Sequence, residues 1–221
     1  MTGAGPVGRV HVLTDRTLQS RYSHGELAVL AARGGADLVQ YREKRPMGRD
    51  ECTMALESIL RDLAGTGAGL IVDDRVLEAR DSGAAGVHLG RGDMPPGDAR
   101  RLLGRSALIG FTANNLQEAL AGEREPVDYL GVGPVFGTLS KDNPAPALGT
   151  AGLKRIVDAV SLPVVAIGGI HAGNAAEVMA AGAWGIAVLS AVVLADDPER
   201  ATREIVQAVT GVMAGEVKDE D

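Results

Sequence analysis

Three basic side chains and two carboxylates stand where one charged ligand could use them all. Arg42 and Lys44 lie in Gln40-Tyr41-Arg42-Glu43-Lys44, and Lys141 follows Thr138-Leu139-Ser140. Asp74 closes Val72-Asp73-Asp74, and Asp93 lies just beyond Gly86-Val87-His88-Leu89-Gly90. Cations beside a pair of carboxylates suit a diphosphate held with Mg²⁺. The carboxylates take the hard cation, the cation bridges phosphate oxygens, and Lys and Arg neutralise the remaining charge. The alternative is a set of ordinary rim salt bridges, with Asp74 paired to Arg75 or Arg42.

These residues need elements that bring them together. Short runs rich in Val, Ile and Leu recur along the chain as eight strand candidates: Val10–Asp15, Leu38–Glu43, Leu70–Asp74, Gly86–Gly90, Leu108–Thr112, Tyr129–Pro134, Val164–Gly169 and Ile186–Ser190. Between them, apolar residues spaced three and four apart predict helices over Glu26–Arg33, Glu51–Leu63, Asp98–Leu103, Leu116–Ala121, Leu153–Val160, Ala175–Ala181 and Glu199–Val209. Gly34-Gly35-Ala36-Asp37, Gly83-Ala84-Ala85-Gly86 and Gly182-Ala183-Trp184-Gly185 each read as a helix stop followed by a strand start. Alternating strands and helices favour a parallel sheet, since parallel strands need crossover connections. Eight units favour closure. The expected fold is α/β, a single (β/α)8 TIM barrel over residues 1–215, with an acidic, solvated tail at 216–221.

Barrel active sites lie at the C-terminal strand ends. That rule puts Arg42, Lys44 and Lys141 on one rim, with Asp74 and Asp93 on adjacent strand ends. It also places Gly168-Gly169 and Leu189-Ser190 after the seventh and eighth strands, where barrels often hold a monophosphate on backbone N–H groups. One mouth would then hold a diphosphate on one side and a monophosphate on the other.

Composition narrows the alternatives. The chain has 221 residues, 45% hydrophobic and 23% charged, enough for a normal core. Its 22 basic and 29 acidic residues argue against a nucleic-acid or membrane-surface binder. Aromatics at 3% leave no stacking platform for single strands. The lone cysteine, Cys52, excludes an internal disulfide and reads as a small buried hydrophobe. No signal segment or apolar span is found, so a cytoplasmic location is expected. His88 and His11 read as core histidines, His24 and His171 as solvated loop residues, and Trp184 as packing.

The motifs Gln40–Lys44, Val72–Arg75, Gly86–Gly90, Asp128–Phe136, Thr138–Lys141 and Ala166–Ile170, in that order, resemble the thiamine phosphate synthase family. The likeness runs from about Val10 to Val209. It implies a transferase that joins 4-amino-2-methyl-5-hydroxymethylpyrimidine diphosphate to 4-methyl-5-(2-hydroxyethyl)thiazole phosphate, or its carboxylated form. The products are thiamine phosphate and pyrophosphate. By position, Gln40, Arg42 and Lys44 would grip the pyrimidine diphosphate, with Asp73, Thr112 and Lys141 and with Tyr41 and Glu43 of the same segment. Arg42, Lys44 and Lys141 would be the catalytic cations, and Asp74 and Asp93 would hold Mg²⁺. Thr138, Leu139, Ser140, Gly169, Leu189 and Ser190 would take the thiazole phosphate. The implied partners are these small molecules, with no nucleic acid and no membrane; a homo-oligomer is left open.

Several positions depart from the family pattern. Asp73 replaces the usual Asn and cannot donate the amide's hydrogen bond. Gly92 replaces an acidic residue, Thr112 a Ser, Gly137 a Pro and Ser140 a Thr. Asn114 stands where many members carry His. Two other functions compete: a thiazole tautomerase-like isomerase, which uses that His and lacks parts of the diphosphate grip, and a non-catalytic barrel that binds thiamine precursors.

Overall fold

The computed structural model describes residues 7–137 and 145–216, with side chains placed up to residue 211. Its strands are β1 (Val10–Thr14), β2 (Leu38–Tyr41), β3 (Gly69–Asp73), β4 (Gly86–Leu89), β5 (Leu108–Ala113), β6 (Tyr129–Val132), β7 (Val164–Ile167) and β8 (Gly185–Val188). All neighbours are parallel, and β8 pairs with β1 to close the barrel. All eight strand candidates therefore form, in sequence order around the ring.

The helices are α1 (His24–Arg33), α2 (Arg49–Asp62), α3 (Val76–Ser82), α4 (Pro96–Leu103), α5 (Leu116–Gly122), α6 (Gly149–Val157), α7 (Ala175–Ala180), α8 (Ser190–Val193) and α9 (Pro198–Glu216). The seven expected helices are present with shifted ends. Two more, α3 and α8, carry too short an apolar stripe to read from spacing. Helix α9 runs to Glu216, past the expected Val209, and residues 217–221 of the expected tail lie outside the described residues.

Local chemistry sets several boundaries. Ser23 caps α1 and exchanges hydrogen bonds with Glu26 in a capping box. Asn115 accepts from the Glu118 N–H at the start of α5. After α1 the left-handed residue is Gly35, at φ 97°, whereas Gly34 stays in the right-handed region.

The core has two layers because strand side chains alternate. Val12, Val39, Val72, Val87, Ile109 and Leu130 face outward to the helices. Leu13, Leu38, Ile71, Leu108, Tyr129, Val165 and Ala187 fill the barrel interior. The same alternation decides which polar side chains reach the mouth.

Candidate active site

One cavity opens at the C-terminal strand ends. It is bordered by Leu13, Gln40, Arg42, Asp73, His88, Thr112 and Asn114 and by the turns Gly133-Pro134, Gly168-Gly169 and Leu189-Ser190. Asp74, Lys44 and Asp93 continue its rim beside Asp73. Arg42, Lys44, Asp74 and Asp93 thus share one end of the barrel.

β2 sorts its motif by alternation. Gln40 and Arg42 face the cavity, and Lys44 turns to the carboxylates after β3. Tyr41 and Glu43, expected beside the pyrimidine diphosphate, have side chains on the other side of the strand. The Tyr41 side chain is buried, and its hydroxyl donates to Met47 Sδ at 3.5 Å. Burial pushes the Tyr41 phenol above its ordinary value. Glu43 accepts from the Arg45 backbone N–H at 2.8 Å and pairs with the Arg45 guanidinium.

His24, expected in solvent, is buried at the start of α1. Its Nδ1 lies 2.7 Å from Thr14 Oγ1 and its Nε2 lies 3.3 Å from Glu43 Oε2. Burial lowers the His24 pKa despite the carboxylate beside it. This cluster braces the end of β2 from behind.

Burial would raise the Glu43 pKa, but hydrogen bonds from Arg45 and His24 overcome it and hold the carboxyl at about 2, below its ordinary 4.5. A depressed carboxyl pKa contributes stability above the unfolded value, and that contribution disappears as pH falls through the folded value. Glu43→Gln is therefore expected to be less stable than the parent at neutral pH. Urea unfolding should show the two stabilities converging as pH drops from 4.5 towards about 2. A difference independent of pH would refute the assignment.

The rim is a chain of alternating charges. The Arg42 guanidinium pairs with Asp15, which is fully buried, and its Nε lies 3.8 Å from Asp73. Lys44 Nζ bridges Asp73 at 2.8 Å and Asp74 at 2.6 Å. Asp74 therefore pairs with Lys44 rather than with Arg75 or Arg42, and Arg75 instead meets Glu78 at 3.3 Å. Asp15 was missed as a functional residue in the sequence, since its role appears only when β1 and β2 pair. Its carboxylate also accepts from the Thr17 N–H at 2.6 Å and the Leu18 N–H at 3.1 Å, so its orientation is fixed.

Asp74 has φ 65°, the only non-glycine left-handed residue among those described. Such backbone is uncommon outside Gly, and Asp and Asn tolerate it best. Here it turns the Asp74 carboxylate to Lys44 and Asp93. Burial raises the Asp73 pKa, aided by the Asp74 charge. Burial also acts upward on Asp74, but hydrogen bonds from Lys44 and Asp93 take its pKa below the ordinary value. Asp93 is raised by burial and by its hydrogen bond with Asp74, while its Oδ2 accepts from the Gly90 N–H at 2.6 Å.

Two neighbouring carboxylates repel each other when both are charged, and a cation between them would relieve that. Among the described residues no group of three or more His, Cys, Asp or Glu side chains assembles for a metal. Mg²⁺ is commonly held by one or two carboxylates, with water and substrate phosphates completing the shell. The Asp74–Asp93 pair fits that habit.

The floor is built by rings. His88 Nδ1 lies 3.0 Å from Tyr129 Oη, and its Nε2 lies 2.9 Å from Thr112 Oγ1. His11 stands edge-on to Tyr129, with ring centres 5.4 Å apart. Burial lowers both histidines to about 4, so both are neutral near pH 7. Two strand glycines make the space. A methyl group at Gly110 would overlap the Tyr129 ring, and one at Gly131 would lie 2.6 Å from His88 Cε1. His88 and His11 are thus interior residues, as expected, but both also border the cavity. Asn114 offers no titratable group, and its amide donates to the Gly133 carbonyl at 2.5 Å.

Gly168 and Gly169 both take left-handed φ, 101° and 68°. A methyl group at Gly169 would lie 2.6 Å from the Gly137 carbonyl oxygen, so the two loops approach closely. Ser190 opens α8 directly after Leu189, and both border the cavity. The first N–H groups of any helix lack intrahelical partners. Thr138, Leu139, Ser140 and Lys141 lie outside the described residues.

Among the described residues no helix is long and apolar enough to cross a membrane. A family model described as thiamine monophosphate synthase matches residues 10–192. The thiamine-phosphate synthase of Chloroflexus aurantiacus is 50% identical over 198 residues, covering 89% of this chain and 90% of the relative. That of Salinibacter ruber is 44% identical over 207 residues, covering 94% and 91%. A solved thiamine phosphate pyrophosphorylase from Pyrococcus furiosus superposes with a TM-score of 0.83 at 38% identity, covering 93% of this chain and 96% of that one.

Proposed function

This chain belongs to the thiamine monophosphate synthase family, and on that premise we propose how its barrel mouth carries out the alkyl transfer. The substrates are 4-amino-2-methyl-5-hydroxymethylpyrimidine diphosphate and 4-methyl-5-(2-hydroxyethyl)thiazole phosphate. The carbon–oxygen bond of the pyrimidine methylene breaks, and its electron pair leaves with pyrophosphate. The ring's amino group stabilises the cation left behind. The thiazole nitrogen then gives its lone pair to that carbon. No proton needs to move, so the protein's work is to hold charge and align the partners.

Arg42 and Lys44 take the diphosphate, and the expected third cation is Lys141. Gln40, Asp73 and Thr112 border the space for the pyrimidine. Gly169, Leu189 and Ser190 offer backbone donors for the thiazole phosphate, with Thr138, Leu139 and Ser140 expected beside them. Asp74 and Asp93 would hold Mg²⁺. When bound, Mg²⁺ supplies positive charge to the departing pyrophosphate oxygens. The observation that carries this reading is the rim itself, where Lys44 bridges Asp73 and Asp74 beside an Arg42 already aimed by Asp15.

The direct test is incubation with both precursors and Mg²⁺, followed by chromatographic detection of thiamine phosphate and pyrophosphate. Absence of both products would sink the reading. Asp93→Ala is expected to raise the Mg²⁺ concentration for half-maximal rate by about tenfold, equivalent to roughly 1.4 kcal/mol. A Mg²⁺ titration that overlays the parent's removes Asp93 from the metal site.

A further inference from the structure

The Thr112 hydroxyl borders the cavity, but what it offers a ligand depends on two residues behind it. Tyr129 is 1% exposed, and among the described residues the only hydrogen-bond partner of its hydroxyl is His88 Nδ1. If Nδ1 carried the proton, the phenol would have to accept, and its own hydrogen would be buried without an acceptor. Buried donors are rarely left so. Tyr129 therefore donates, and His88 Nδ1 accepts.

An imidazole whose Nδ1 accepts carries its single ring proton on Nε2. That N–H faces Thr112 Oγ1 at 2.9 Å and donates to it. A hydroxyl that accepts from behind keeps its own hydrogen free. In the opposite tautomer Thr112 would have to donate to His88 and could show the cavity only lone pairs.

Building on the pyrimidine reading above, we propose that Tyr129 and His88 act as positioning residues that point the Thr112 proton into the cavity, so that Thr112 selects a ring nitrogen of the pyrimidine rather than its amino group. The amino nitrogen is a donor whose lone pair is delocalised into the ring, so it is a poor acceptor. Gly110 and Gly131 serve the same arrangement by leaving β5 and β6 without side chains where the two rings lie. Thr112 in place of the family's usual Ser keeps the hydroxyl.

The chain also predicts which kinetic constant responds. As pyrophosphate leaves, positive charge spreads through the pyrimidine and its nitrogens become poorer acceptors. The Thr112 bond is then stronger to bound substrate than to the transition state. Losing it should raise KM and leave kcat at or above the parental value.

Two measurements test this. The first is nitrogen-15 NMR of histidine-labelled intact protein without substrates, with the His88 signals assigned by their loss in His88→Gln. Protonated Nε2 and bare Nδ1 are expected; a protonated Nδ1 overturns the proposal whether or not the enzyme turns over. The second is steady-state kinetics of Thr112→Val. KM for the pyrimidine diphosphate should rise by about tenfold, with kcat at or above the parental value and the thiazole phosphate KM near its own parental value, and Thr112→Ser should restore the parental KM. An unchanged pyrimidine KM, or an equal loss in kcat, overturns the proposal. A parent protein that forms no thiamine phosphate would instead sink the functional reading, and the NMR result would still decide the hydrogen-bond direction.

Discussion

Arg42→Ala is expected to lower kcat/KM for the pyrimidine diphosphate by roughly a hundredfold, or about 2.7 kcal/mol of transition-state stabilisation. The Arg42 side chain is only 16% exposed, so its charge acts in a partly desolvated mouth where it is weakly screened. It is also pre-aimed by Asp15 and Asp73 and needs little reorganisation as charge develops on the leaving group. Truncation has a second effect, because it strips the buried Asp15 carboxylate of its cation. Removing one member of a buried pair typically costs about 3–5 kcal/mol. Hydrogen bonds from the Thr17 and Leu18 N–H groups soften that loss. Arg42→Lys separates the two effects. It keeps the charge near Asp15 but loses the planar fork, so it should recover most of the stability and less of the activity. Parental kcat/KM in a folded Arg42→Ala protein would remove this residue from the chemistry.

Gly110→Ala should be a strongly damaging single-methyl change in the barrel interior. The new carbon would overlap the Tyr129 ring and lie 2.5 Å from His88 Nδ1. Neither neighbour is the free end of a flexible chain. Tyr129 is a buried ring in the inner layer, with His11 on one side and His88 on the other. Overpacking of this kind costs about 3 kcal/mol. For a domain of this size that is a fall of roughly 6–12 °C in Tm. Calorimetry showing a parental Tm would mean that the interior has slack which the ring positions do not suggest.

Much of the fold was legible because the strands announce themselves. Eight apolar runs separated by helical spacing leave closure as the economical arrangement, and closure sends every strand's C-terminal end to one mouth. Arg42, Lys44, Asp74 and Asp93 therefore group together from the sequence alone. Helix α3 was not legible, since Val76 and Ala79 are its only buried residues and Glu78, Arg80 and Asp81 break the stripe. His24 was misread because its burial depends on Thr14 and Glu43, which arrive from two other strand ends. Asp15 and the Tyr129–His88–Thr112 chain failed to show for the same reason. Their partners are 24 to 41 residues apart in the sequence and meet only across the ring. Alternation within β2 was readable in principle, and it would have sent Tyr41 and Glu43 outward at once.

The alternating rim has a consequence for how ligands arrive. Arg42 and Lys44 are already neutralised by Asp15, Asp73 and Asp74, so an incoming diphosphate does not meet a naked positive field. It must trade places with carboxylates that hold the same cations, and each displaced carboxylate then seeks a new counter-ion. Association is thus an exchange of ionic partners with little net change in local charge. Its dependence on ionic strength should accordingly be shallower than a count of lysines and arginines at the mouth would suggest.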